Sequence, residues 1–160
     1  MGISVEGGER AGERIGEMAE RAANVRPLLE TLAAELRAMV DRSFATDSAP
    51  DGRPWAPRVQ AFRYADGRPA RPRTETRPGR GLLEDSGDLR SSISVTVQGG
   101  SVVAEAVSGH AAAQQFGTRH MPARPFLPVD RSGPMANGPA GEWFAALPRR
   151  VAEYVARGSL

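Results

Sequence analysis

LLEDSGDLRSSISVTVQGGSVVAEAV, residues 82–107, changes its periodicity half-way along. Up to Ser92 it mixes acidic residues, serines and Gly87 with Leu82, Leu83 and Leu89, and reads as a turn. Beyond that point Ile93, Val95 and Val97 alternate with polar Ser94 and Thr96, the period of a half-buried strand. Gly99-Gly100 supplies a tight turn tolerant of positive φ, and 101–107 pairs back as a hairpin. A hairpin set among helix-period segments predicts the class α+β.

Working outward toward the N-terminus, ISVEG at 3–7 reads as a short strand. Residues 8–23 follow as a helix whose apolar stripe is narrow: Ala11, Ile15, Met18 and Ala22. Asn24 and Pro27 punctuate, the first as a C-terminal cap and the second as a first-turn residue. A second helix then runs to about Phe44. Its stripe of Leu28, Leu29, Leu32, Leu36, Met39, Val40 and Phe44 is broad enough to demand burial, which makes it the strongest core element.

Toward the C-terminus, Ser108 is placed to cap a short helix over HAAAQQF, with Gly117 closing it. MPARPFLPVD is extended, and Pro122, Pro125 and Pro128 restrict it to an edge strand or a surface strap. DRSGPMANGPAG reads as flexible. A last helix over about 140–157 carries Trp143, Phe144, Leu147, Val151, Tyr154 and Val155 on one face, kinked or restarted at Pro148. The expected architecture is one domain over residues 1–160. In it a small antiparallel or mixed β-sheet packs against two N-terminal helices and a C-terminal helix.

Between the second helix and the hairpin the pattern dissolves. Residues 45–81 hold Pro50, Pro54, Pro57, Pro69, Pro72 and Pro78 with no sustained periodicity, so they read as one long irregular loop. The chain's net charge is +2, and all 21 basic residues are Arg. Within 53–80, Arg53, Arg58, Arg63, Arg68, Arg71, Arg73, Arg77 and Arg80 face only Asp66 and Glu75. That gives 8 − 2 = +6, leaving 2 − 6 = −4 for the remainder. Such a segment suits phosphate or an acidic protein surface. It reads either as a floppy loop or as one that orders only against a neighbouring subunit, and the second is the expectation here.

The remaining composition excludes more than it identifies. With no Cys, disulfides, thiolate catalysis and Cys-type zinc sites are ruled out together. No apolar run approaches the ~18 residues of a membrane span, and the N-terminus lacks the pattern of a signal peptide. His110 and His120 have no metal-ligand spacing, even with Asp85 and Asp88 added. Ser86, Ser91 and Ser92 lack a nucleophile-elbow context, and no glycine cluster forms a phosphate loop. No catalytic set, metal site or cofactor is expected. A hydrolase using Asp85, Asp88 and His110 is a remote reading. DNA binding through the loop, with Trp55, Phe62 and Tyr64 as stacking faces, is the leading alternative to a protein-assembly role.

Three phrases carry a resemblance, the third of them, 114–127, in two parts. They are Asp51-Gly52-Arg53-Pro54-Trp55-Ala56-Pro57, then Leu83-Glu84-Asp85-Ser86-Gly87-Asp88-Leu89-Arg90-Ser91-Ser92-Ile93. After the hairpin come Gln114-Gln115-Phe116-Gly117 and Pro122-Ala123-Arg124-Pro125-Phe126-Leu127. In this order, behind a strand and two helices, they resemble the bacteriophage virion-morphogenesis (tail-completion) family over roughly residues 3–130. Gln114 stands where His is usual, and Ala111 where the family tends to place Tyr.

The resemblance implies a structural, non-enzymatic protein of the virion, assembled in the bacterial cytoplasm. It would form a homo-oligomeric ring, commonly a hexamer, at the head-proximal end of a tail. Its partners would be the head connector and the tail-tube proteins, with packaged DNA passing through the lumen. Under that reading Asp85 and Arg90 close the DSGDLR turn, and Trp55 and Phe116 anchor the Pro-rich straps. Arg124 binds a carbonyl or carboxylate at the ring interface, and Arg53 and Phe126 belong to the same structural set. The loop arginines 58, 63, 68, 71, 73, 77 and 80 would meet DNA or partner proteins.

Overall fold

The second helix decides where everything else packs. In the computed structural model, which describes residues 8–56, 81–84 and 86–158, this helix (α2, Arg26–Thr46) starts with Pro27 in its first turn. It ends at Asp47, whose φ of 48° is left-handed. Leu28, Leu32, Leu36, Val40 and Phe44, four residues apart, form one buried row. The row serves two clusters. Val40 and Phe44 join Trp55, Leu83, Leu89, Ile93, Ala111 and Phe126, whereas Leu28 and Leu32 meet Tyr154 with Val102, Trp143 and Leu147 beside it.

Strands β1 (Ile93–Gln98) and β2 (Ser101–Ala106) form the expected antiparallel hairpin, in register from Ile93↔Ala106 to Gln98↔Ser101. The hairpin lies on α2. Ahead of it stands the single turn α3 (Asp88–Ser91), and after it the short helix α4 (Ala111–Phe116). Ser108 is not the cap residue of α4: that position is His110, and Ser108 instead lends its backbone carbonyl to Ala111 N. Gly117 does close the helix, with φ 69°. The class is α+β.

Three expectations fail. The stretch after Pro128 is no flexible linker. It folds back as a second, two-residue hairpin, β3 (Val129–Asp130) with β4 (Gly133–Pro134). Met135, 3% exposed, is drawn under it with its N–H on Pro128 O. Of the kink or restart expected at Pro148, the restart does not occur: the last helix, α5 (Gly138–Arg157), runs through it. Packing on both sides of the proline, Trp143 and Leu147 before it and Tyr154 after, outweighs one missing backbone bond. The first helix, α1 (Gly8–Ala23), has the expected bounds but the wrong neighbour. It packs against α5 rather than the sheet and contributes no buried residue. The strand expected over 3–7 lies outside the described residues.

The loop expectation divides. Residues 45 and 46 finish α2, and 47–56 are ordered by their own chain. Ser48 and Pro54 form a β-bridge, Ala49 N–H donates to Arg53 O, and Gly52 N–H to Ala49 O. This turn also receives the start of α5. Asn137 makes no side-chain cap; Ala140 N–H bonds Pro50 O instead, and Gly138 (φ 61°) lies so close that a Cβ there would stand 2.0 Å from Asp51 O. Only glycine fits. Residues 57–80 lie outside the described residues, so their ordering by a neighbour stays an expectation.

Candidate functional site: a clasp at the mouth of the Arg-rich segment

The three sequence phrases, far apart in the chain, converge on one place. Trp55, buried to 5% exposure, meets Phe44 edge-on with ring centres 5.7 Å apart. Its indole Nε1–H donates 2.7 Å to Pro125 O. Phe126, 1% exposed, lies 5.9 Å from the same Phe44 ring. Between these two aromatics the PARPFL strap crosses the core.

Arg124, 6% exposed, is the buried cation of this region; its Nε donates 2.8 Å to Ala56 O and its backbone N–H 2.7 Å to Gln114 O. The carbonyl it holds belongs to its own chain. Ala56 and Gly81 flank the residues outside the description, and the far flank is held as well: Asp47 Oδ1 accepts 2.8 Å from Leu82 N–H, while Asp47 O accepts 2.8 Å from Trp55 N–H. The left-handed Asp47 thus ties both flanks of the Arg-rich segment to the end of α2. Arg58, Arg63, Arg68, Arg71, Arg73, Arg77 and Arg80 themselves lie outside the described residues.

The residue that knits the clasp was not singled out by its sequence. Gln115, 3% exposed, accepts at Oε1 from Phe126 N–H and Leu127 N–H, both at 3.0 Å. Its amide donates to Leu127 O at 3.1 Å and Val129 O at 2.6 Å. All four bonds go to backbone that the Pro-rich strap cannot satisfy by sheet pairing. Phe116 beside it is only partly buried, with the Arg131 guanidinium 5.9 Å over its ring. Gln115 was therefore the informative residue of the QQF phrase, and Phe116 the lesser anchor. A long amide flanked by prolines downstream was the available signal.

Asp85 also lies outside the described residues, so the expected Asp85–Arg90 closure cannot be placed. Arg90 is held by other acids: NH1 donates 2.5 Å to Glu84 and NH2 3.3 Å to Asp41, with its plane 5.8 Å from Phe44. The hydrogen bond to Glu84 chiefly raises its pKa above the ordinary value. Arg37 extends the group, pairing with Asp41 and donating 2.8 Å to Ile93 O. Arg53 remains exposed and folds onto Asp51 within the same turn, at 2.6 Å.

Away from the clasp, Glu35 joins α2 to α5. Arg150 grips it bidentately at 2.6 Å, and Trp143 Nε1–H donates 2.7 Å. The Arg150 hydrogen bonds hold this carboxyl below its ordinary value, against the opposing pull of partial burial. A carboxyl with a depressed folded pKa adds stability above its unfolded pKa and loses it as pH falls through the folded value. Glu35→Gln should therefore cost about 1 kcal/mol at pH 7, after discounting for solvent screening. The gap from wild type should close below about pH 4, read as urea midpoints between pH 3 and 7.

Among the described residues, no three His, Asp or Glu side chains are placed to hold a metal ion, and no helix is long and apolar enough to cross a membrane. What the geometry does is mechanical: it fixes both flanks of a cationic segment on a rigid core. A sequence model of the phage virion morphogenesis family matches residues 8–136, from the start of α1 to the residue before the α5 cap. The chain belongs to that family. The match takes in every clasp residue named above, so the clasp lies within the family's own span. No curated protein and no solved structure matches the chain significantly.

Proposed function

We propose that this virion morphogenesis protein completes the tail of a phage or phage-like particle and joins it to the head connector, as a homo-oligomeric ring around the DNA passage. Family membership gives the setting, virion assembly. The observation that carries the finer reading is the double tether at Asp47 and Arg124. It presents residues 57–80, of charge 7 − 2 = +5, from a rigid base, as a part that must meet neighbouring subunits or passing DNA would need. In this reading the protein works by placement and contact, without chemistry of its own.

Particles lacking the protein should accumulate as filled heads and separate tails, counted by electron microscopy. Infectious joined particles at normal yield would refute the joining role. The composition of 53–80 also supports a second reading, DNA binding by that segment alone. That reading expects duplex affinity to fall steeply with salt as Arg–phosphate contacts release counterions. Binding that is absent, or flat with salt, would remove it.

A further inference from the structure

Helix α1 is amphipathic, and it lies on the molecule the wrong way round. At about 100° per residue, Gly8, Ala11, Gly12, Ile15, Met18 and Ala22 fall on one arc, with Gly16 and two alanines completing it. All seven charged residues fall on the opposite arc. Yet the residue most firmly set against the body comes from the charged arc. Arg21 is the one half-buried residue of α1. Its guanidinium donates to Val155 O and Ala156 O, both at 3.3 Å, at the C-terminal end of α5. The apolar arc faces outward, with Ile15 67% and Met18 38% exposed.

The composition of that arc says what kind of surface covers it. Gly12 and Gly16, in the interior of a solvent-exposed helix, each weaken it, and a Cβ at either of them, or at Gly8 where the helix starts, would meet nothing within 4 Å. Among the described residues nothing lies close enough to require them. Glycine and alanine along one face let another backbone or apolar wall come close. A membrane surface fits poorly, because the polar arc is 3 − 4 = −1 (Arg10, Arg14, Arg21 against Glu9, Glu13, Glu17, Glu20) and the apolar arc lacks aromatic or Leu anchors.

The same chain offers the complementary shape. Between α2, the first hairpin, the strap and α5 runs an apolar groove of about 490 Å³, lined by Leu32, Leu36, Val102, Leu127, Phe144 and Leu147. We infer that the apolar face of α1 docks into this groove on a second copy of the chain. This is the helix-in-groove mode of recognition, and a ridge meeting a groove elsewhere on the surface is heterologous, the contact that generates rings. The inference rests on the ring proposed above and names its interface.

The absence of cysteine gives a clean background for cross-linking. Ile15→Cys and Ala104→Cys, the latter in the groove lining, are prepared separately as full-length chains, mixed and oxidised. A disulfide between the two variants, with none in either alone, is the expected result. Ile15→Glu should abolish oligomers in analytical ultracentrifugation while leaving the far-UV circular dichroism of the folded chain unchanged, because Ile15 is exposed in the single chain. Ile15 pairing with Ile15, a disulfide closing within one doubly substituted chain, or oligomers that survive Ile15→Glu would each overturn the docking while leaving the ring reading intact. A wild-type chain that stays monomeric at every concentration would overturn both.

Discussion

Gln115→Ala is expected to lower the free energy of unfolding by about 3–5 kcal/mol, read from urea denaturation. The reason is asymmetry in the cost of hydrogen bonds. A bond formed on folding gains about 1 kcal/mol net, but a buried donor or acceptor left unpaired costs about 1–3 kcal/mol. Removing this one amide strands Phe126 N–H, Leu127 N–H, Leu127 O and Val129 O together. Water entering the space left behind offsets part of the loss, which keeps the total below four full penalties. Gln115→Glu should be nearly as damaging: it keeps the acceptor for the two N–H groups but sets a carboxylate against two carbonyls. A loss under about 1 kcal/mol for Gln115→Ala would mean that the strap is held by apolar contact alone.

Trp55→Ala should cost a comparable ~3–5 kcal/mol, the usual range for emptying a large aromatic site in a core. The indole fills the space between Phe44 and the strap, and its N–H is the partner seen on Pro125 O. Trp55→Phe separates the two contributions, because it keeps most of the ring burial and drops the donor. It should cost about 1–2 kcal/mol, the remainder of the alanine loss being packing. Both variants loosen the Ala56 flank as well, since Arg124 reaches that carbonyl from the strap Trp55 supports. An alanine variant as stable as the phenylalanine one would contradict the packing account.

Local periodicity was enough to place every long element. The alternation Ile93-Val95-Val97 with Gly99-Gly100 dictates a hairpin whatever surrounds it, and β1 and β2 occupy it. The four-residue row from Leu28 to Phe44 dictates a buried helix, and α2 is that helix. Where single residues had to be judged by type, the reading was weaker. The resemblance made Phe116 an anchor of the strap and gave Gln115 no role of its own. Their burial is decided instead by which backbone groups lack partners, and that is known only once the strap lies beside α4. Pro148 looked like a break for the same reason: its cost is local and visible, while the compensating contacts with α2 are distant in the chain.

The sequence by itself determined the class, the hairpin, the three long helices and the family, because each depends on spacing along the chain or on phrases in a fixed order. Tertiary structure alone decided that the three phrases meet in one clasp, that Asp47 and Arg124 hold the two flanks of the Arg-rich segment, and that α1 turns its apolar face outward. Those outcomes depend on which surfaces compete for the same partners. A stripe of apolar residues announces that it will be covered, but nothing in its spacing says whether the cover lies on the same chain.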